Sequence, residues 1–164
     1  MKNLLITIVL RILLIISFAV YAFVLVKNAQ LSDMFLKREI SFDYYMENEI
    51  NSGLYNVIAL FFATLNSWYT HYQSKKRNNG RIIMKEIVIP EMIHDDERES
   101  EITGKSAKAA FSIMFAFSFI LMASFSLVPY ALNNPLSYAI FAIASLPIVG
   151  FVAYFIASKV LYSR

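Results

Sequence analysis

The stretch "IHDDERESEITGKSAKAAF" (residues 93–111) places the densest charge of the chain directly before its most apolar part. From Ala109 onward no charged residue occurs until Lys159. Apolar runs of this length are typical of transmembrane helices, because about 20 helical residues are needed to cross the hydrocarbon of a bilayer. The stretch therefore predicts the point at which a water-exposed segment enters the membrane, and this boundary decides the fold.

The composition of the whole chain is also that of a membrane protein. The 164 residues are 58% hydrophobic and 16% charged, whereas soluble domains carry about 25% charged residues. Four apolar runs are predicted to span the membrane: 4–26, 54–72, 109–132 and 137–158. The predicted fold is an all-α membrane protein, a four-transmembrane-helix bundle forming one integral membrane domain over residues 1–164.

The first two runs need separate comment. Residues 4–26 are longer than the roughly 7–15 apolar residues of a signal peptide and contain Arg11, which favours a retained anchor. The second run is the least apolar, since it contains Asn56, Asn66 and His71.

The distribution of Lys and Arg predicts the orientation, because these residues are enriched in cytoplasmic loops. Residues 73–108 contain eight of them, whereas residues 27–53 contain three together with five acids. We therefore expect an outer loop at 27–53, a cytoplasmic loop at 73–108 and both termini in the cytoplasm. The predicted location is a bacterial or archaeal cytoplasmic membrane. The net charge of +3 fits this topology, so direct nucleic acid binding is not expected.

The charged stretch itself predicts a helix. Asp95 and Asp96 are favourable N-cap residues, and Glu101 and Lys105 stand four residues apart in the favourable order. We expect one helix from about Asp95 into the membrane, a cytoplasmic extension of the third span. Small residues that would permit close helix packing follow one side of it: Thr103, Ala107 and Ala110, with Ser106 beside them.

Two interpretations of the cytoplasmic loop remain open. The helical extension either docks a partner or another copy of the chain, or is merely a solvated helix. Residues 82–89, after the Asn79-Gly80 turn signal, form a β-rich run that either pairs with another polypeptide or lies in the membrane interface. The candidate partner-binding residues are Ile83, Ile87, Ile89, Asp96, Glu97, Arg98 and Lys105.

The segment "DDERESEITGKSAKAAF" (95–111) resembles the signature of an uncharacterised prokaryotic family of small four-span membrane proteins. The family has an Asp-Glu-Arg motif, followed by a Lys among small residues, before its third span. The matching positions are Asp96, Glu97, Arg98, Lys105 and Ala107. The resemblance implies the same four-span layout and no particular activity. The long loop before the motif departs from the compact family pattern.

Polar residues inside the predicted spans suggest a second site. Arg11 would lie about 12 Å deep in the first span, at 1.5 Å per residue. Asn66 and His71 of the second span would reach a similar depth, so we expect an intramembrane polar cluster of Arg11 with Asn66 or His71. Such a cluster either senses or gates, or only holds the helices together. Pro147 and Gly150 predict a kink in the fourth span.

Enzymatic chemistry is not predicted. The chain has no cysteine, no phosphate-binding glycine loop and neither a GxSxG nor an HExxH motif. We expect no cofactor, no metal and no catalytic residue.

The favoured function is a non-enzymatic, homo-oligomeric membrane sensor or scaffold that binds a cytoplasmic protein, in a bacterial defence (anti-phage) or stress system. The alternatives are a small channel or transporter, and an immunity protein against a pore-forming bacteriocin.

Overall fold

The computed structural model describes residues 2–77, 97–125 and 135–163, and every regular element within these ranges is an α-helix. The predicted all-α class is thus confirmed for the described residues. The helices are α1 (Lys2–Leu36), α2 (Phe42–Asn48), α3 (Ser52–Arg77), α4 (Glu97–Phe125) and α5 (Pro135–Tyr162).

Among the described residues, three helices are long and apolar enough to cross a membrane, and they contain the segments Asn3–Leu36, Glu97–Phe125 and Ser137–Tyr162. This fits a multi-pass membrane protein. The remaining long helix, α3, has 26 residues, but polar residues such as Asn56, Asn66 and His71 dilute its apolar character.

The long helices form an open row in the order α3, α1, α5, α4, in which α1 packs on both α3 and α5, and α5 packs on α4. Between α1 and α5, the ring centroids of Phe23 and Phe141 are 5.7 Å apart. Arg11 Cζ lies 5.4 Å from the ring centroid of Phe151. A later residue of α1 therefore faces an earlier residue of α5, so these two helices are antiparallel.

The same comparison orients α4. The rings of Phe125 and Tyr138 are 5.3 Å apart, and Met114 lies against Gly150. Helices α4 and α5 are thus antiparallel, and α4 runs parallel to α1. Helix α3 packs along α1 and begins beside its far part, where Asn28 contacts Ile50, so it runs antiparallel to α1.

The residues that the helices bury against each other are mostly small. Close packing of small side chains is how helices associate in lipid, where there is no hydrophobic driving force between apolar surfaces. The buried small residues include Ala19, Ala59, Ala110, Ala142 and Ala153. Large apolar side chains instead cover the outside of all four long helices, for example Leu13, Phe61, Phe119 and Ile143. This inside-out distribution suits a lipid surrounding.

The 27–53 segment is largely helical, because α1 continues to Leu36 and α2 then folds back. Helix α1 ends in a Schellman motif, in which the Glu39 amide donates to Met34 O at 3.0 Å and the Arg38 amide to Phe35 O at 2.9 Å. Arg38 adopts a left-handed conformation, with φ of 61°, at a position that usually carries glycine. The side chain of Ser41 caps α2 by accepting a hydrogen bond from the Tyr44 amide.

Candidate functional site

The described parts of the charged stretch and of the third predicted span, 97–125, belong to one uninterrupted helix. Helix α4 runs from Glu97 to Phe125 without a break, as the sequence predicts for this part of the chain. On its exposed side, Lys105 Nζ lies 2.6 Å from Glu101 Oε1. Glu97 and Arg98 are also exposed. Three of the seven predicted partner-binding residues, Glu97, Arg98 and Lys105, therefore lie on α4 with exposed side chains.

The other four predicted partner-binding residues fall outside the described residues: Ile83, Ile87, Ile89 and Asp96. The whole predicted β-rich run at 82–89 falls outside them as well.

The opposite side of α4 is buried against α5. Its buried residues are Ile102, Ser106 and Ala110, spaced four residues apart. The buried side of α4 therefore lies slightly around the helix from the predicted small-residue stripe, since Thr103 and Ala107 of that stripe are only half-buried. One face of α4 holds the helix to the bundle, and the other presents charges.

Ser106 is the most deeply enclosed polar residue of this helix, with a relative exposure of 0%. Its hydroxyl has no hydrogen-bond partner among the described residues. Extending the α4–α5 register from the Met114–Gly150 contact brings Ser106 to about the level of Ser158, which is also buried. These small hydroxyl residues allow the two backbones to approach closely at this end of the row.

Further buried hydroxyls lie at the same end of the neighbouring helices. Thr7 of α1 donates to Asn3 O at 2.9 Å, and Thr70 of α3 donates to Asn66 O at 2.7 Å. Because each hydroxyl is satisfied within its own helix, these residues can be buried without leaving an unpaired donor. They pack helices and are not arranged as a nucleophile with its base.

The residues of the predicted intramembrane polar cluster lie on two helices, Arg11 on α1 and Asn66 and His71 on α3. The Arg11 guanidinium lies over the Phe151 ring of α5. Asn66 comes to about the depth of Arg11 when the α1–α3 register is counted back from Asn28 and Ile50. The side-chain oxygen of Asn66 is buried and accepts no hydrogen bond from the described residues, Arg11 included. His71 is exposed. The cluster of Arg11 with Asn66 or His71 stays a prediction. The structure shows in addition that the Phe151 ring is an aromatic partner of Arg11.

The predicted kink residues lie inside α5, which continues as a helix through Pro147. Gly150 is buried against α4. A Cβ atom added to Gly150 would lie 2.9 Å from Met114 Cγ and nearer still to the sulfur. An alanine at this position would have to displace the Met114 side chain, so Gly150 takes part in the packing of α4 on α5, a role that the kink prediction did not include.

Sequence reasoning also missed the clamp at the start of α3. Asn28 Nδ2 donates to Ile50 O at 2.7 Å, and the Ile50 amide donates to Asn28 Oδ1 at 3.1 Å. The paired bonds fix the loop that carries α2 onto the side of α1. The only signal in the sequence is an asparagine two residues after the apolar run that ends at Val26, and nothing local indicates its partner.

No group of His, Asp or Glu side chains in the described ranges is arranged to hold a metal ion. The chain matches no protein-family model, and neither a curated protein nor a solved structure shows significant similarity to it. A function for this protein can therefore be proposed only from its own structure and sequence. The resemblance of residues 95–111 to a four-span family stays a prediction.

Proposed function

We propose that this protein is a non-enzymatic, homo-oligomeric membrane subunit that binds a cytoplasmic protein through residues 73–108 and acts as a sensor or scaffold. We place it in a bacterial defence (anti-phage) or stress system. The observation that supports this proposal is the continuity of α4, whose exposed charged part and apolar part form one helix of 29 residues.

A continuous helix of this length extends about 44 Å, at 1.5 Å per residue. It therefore reaches beyond the hydrocarbon, which is about 30 Å thick. The buried residues Ile102, Ser106 and Ala110 pack against α5, so the contact between α4 and α5 begins within the charged part of α4. A partner that moves the Glu97 end would consequently shift the α4–α5 contact within the membrane. Such mechanical coupling is what a sensor or scaffold requires, and it needs no catalytic group.

Our proposal includes four spans, with α3 as the second. Helices α1 and α4 run in the same direction, so a chain that crosses in both must return between them. Helix α3 runs antiparallel to α1 and has 26 residues, about 39 Å. Its first turns expose Leu54, Val57 and Phe61, as expected for lipid contact. We retain a short β segment at 82–89 as part of the proposed partner surface.

The orientation can be tested with reporter fusions at Asn79 and Asp43. We expect the Asn79 reporter to be active in the cytoplasm and the Asp43 reporter outside. A reporter at Asn79 that is accessible from outside would contradict the cytoplasmic partner surface.

The partner surface can be tested by copurification after mild detergent extraction. Reversing the charges of Asp96, Glu97 and Arg98 should abolish capture of a cytoplasmic protein. The matched control exchanges an exposed ion pair at the opposite end of the bundle, because Asp33→Lys with Lys37→Asp keeps the pair and the net charge and lies outside residues 73–108. Loss of capture in both variants would indicate a damaged protein instead of a specific surface.

The contribution of the loop before α4 needs its own variant. Deleting residues 82–89 should weaken partner capture or change the oligomer. Unchanged capture with an unchanged oligomer would remove this segment from the proposed surface.

One observation favours a second candidate, a small channel or transporter. The buried Asn66 oxygen and the Arg11 guanidinium are polar groups within long apolar helices, and polar groups at such depth often mark ion pathways. Liposomes containing the purified protein would then show ion flux that Arg11→Leu abolishes without loss of expression. Absence of flux from wild-type liposomes would eliminate this candidate.

A further inference from the structure

The end of the bundle opposite the two termini carries a structure that the proposed cytoplasmic surface does not involve. We call residues 33–49 the cap; they comprise the end of α1, its Schellman turn and α2. The Phe35 ring holds the cap together, with centroids 6.0 Å from Phe42 and 5.3 Å from Tyr45. The Asn28–Ile50 hydrogen bonds fix its base on α1.

The position of the cap along α1 places it beyond the lipid. The apolar run of α1 ends at Val26, and its 23 residues from Leu4 extend about 34 Å, enough to cross the hydrocarbon. Phe35 lies nine residues farther on, about 13 Å above that boundary. The headgroup region on each side is only about 5–8 Å thick. The top of the cap, where Phe35 packs on Phe42, therefore lies beyond the hydrocarbon, whereas the base of the cap at Ile50 is level with Asn28, in the headgroup layer.

Despite this position, the cap exposes large apolar side chains. Leu36 is 76% exposed, Phe42 59% and Met46 55%. Large apolar groups that cluster in water typically mark interaction surfaces. On the lower parts of the helices the same exposure is explained by contact with acyl chains, but by its height along α1 the top of the cap lies beyond their reach.

Helix α2 arranges these groups in two neighbouring ridges. Phe42 and Met46 are four residues apart and form an apolar ridge. Asp43 and Glu47 form an acidic ridge about 100° around the helix. Residues 33–49 contain five acids and two bases, which makes the cap net negative by three charges. One surface thus offers both an apolar contact and a negative field.

We propose that the cap is a docking surface for a cationic protein segment, which places apolar side chains on the Phe42–Met46 ridge and Lys or Arg side chains beside Asp43 and Glu47. Charge complementarity selects this occupant. A second copy of the cap would bring like charges together, and anionic lipid would be repelled in the same way. This surface adds to the proposed function an input on the membrane side opposite the 73–108 surface.

The test uses the full chain in nanodiscs of zwitterionic phosphatidylcholine and an amphipathic helical peptide of lysine and leucine as the probe. We expect saturable binding that exceeds the binding to empty nanodiscs and weakens as salt increases. Phe42→Ser with Met46→Ser, and separately Asp43→Asn with Glu47→Gln, should each raise the Kd about tenfold. The matched control for the apolar ridge is Tyr44→Ser, since Tyr44 is 50% exposed and lies on the side of α2 away from Phe42 and Met46.

Equal binding by wild-type and both ridge variants would overturn the proposal, as would binding no stronger than to empty nanodiscs. The acidic-ridge variant keeps the test valid if the apolar-ridge variant fails to fold, because its substitutions nearly preserve side-chain shape.

Photocrosslinking in cells then distinguishes the occupants. A photoreactive residue at Met46 should join the protein to a segment rich in Lys or Arg, which mass spectrometry identifies, whereas the same residue at Tyr44 should not. Adducts only to lipid, or only to another copy of this chain, would refute the proposal. Because the test concerns residues 33–49 alone, its failure leaves the 73–108 surface unaffected, and the reverse also holds.

Discussion

The contact between Gly150 and Met114 allows the packing of α4 on α5 to be tested quantitatively. Substituting alanine for glycine inside a helix normally stabilises it by about 1 kcal/mol. At Gly150 the new Cβ would lie 2.9 Å from Met114 Cγ, and overpacking of this kind costs about 1–3 kcal/mol. We therefore expect Gly150→Ala to destabilise the protein by up to about 2 kcal/mol.

The expected sign reverses when the obstruction is removed. Met114→Ala alone should destabilise, because it leaves a gap against α5. In that background Gly150→Ala has room and should stabilise by up to about 1 kcal/mol, so the coupling energy between the two substitutions is about 1–3 kcal/mol. Gly104→Ala in α4 is the control, since a Cβ there would meet nothing within 4 Å. It should be neutral or stabilising in either background.

Stability can be measured by circular dichroism in dodecyl maltoside micelles as the fraction of sodium dodecyl sulfate increases. The four proteins of the cycle and the Gly104 control should be compared under the same conditions. If Gly150→Ala has the same effect in both backgrounds, within about 0.5 kcal/mol, then the two residues are not in contact and the α4–α5 register described above is wrong.

Three further predictions concern the α1–α3 hairpin and its cap. Asn28→Ala removes both hydrogen bonds to Ile50 and should destabilise by about 1–3 kcal/mol; hydrogen exchange at the Ile50 amide should accelerate, and unchanged exchange would contradict the clamp. Arg38→Gly should stabilise by about 1 kcal/mol, because glycine adopts φ of 61° without strain; a lower stability in detergent would argue against the Schellman turn. The hydrogen bond from Lys37 to Asp33 raises the pKa of Lys37 above its ordinary value. The stabilisation by this ion pair is therefore present at neutral pH and is lost as the pH rises through the raised pKa. Asp33→Asn should lower the pKa of Lys37 in an NMR titration, and an unaltered titration would refute the pair.

In the charged stretch at residues 93–111, the local sequence predicted the helix more accurately than its buried side. Its caps and charge spacing predict a helix that enters an apolar segment, and α4 has this form from Glu97 onward. The buried edge of α4 was predicted less accurately, because burial depends on the direction from which α5 approaches. Ser106 and Ala110 are enclosed by that helix, whereas Ala107 is only partly covered.

The amino-acid sequence alone determined the all-α class, the apolar helices and the polar boundary at Ala109, because hydropathy, helix length and capping depend on residues close together in the chain. The contacts between the helices became known only from the tertiary structure: Asn28 is hydrogen-bonded to Ile50, and Met114 packs against Gly150. The two residues of each pair are more than twenty positions apart in the chain, and their contact exists only once the helices have packed. No local pattern specifies which small residue or polar group will meet which neighbour.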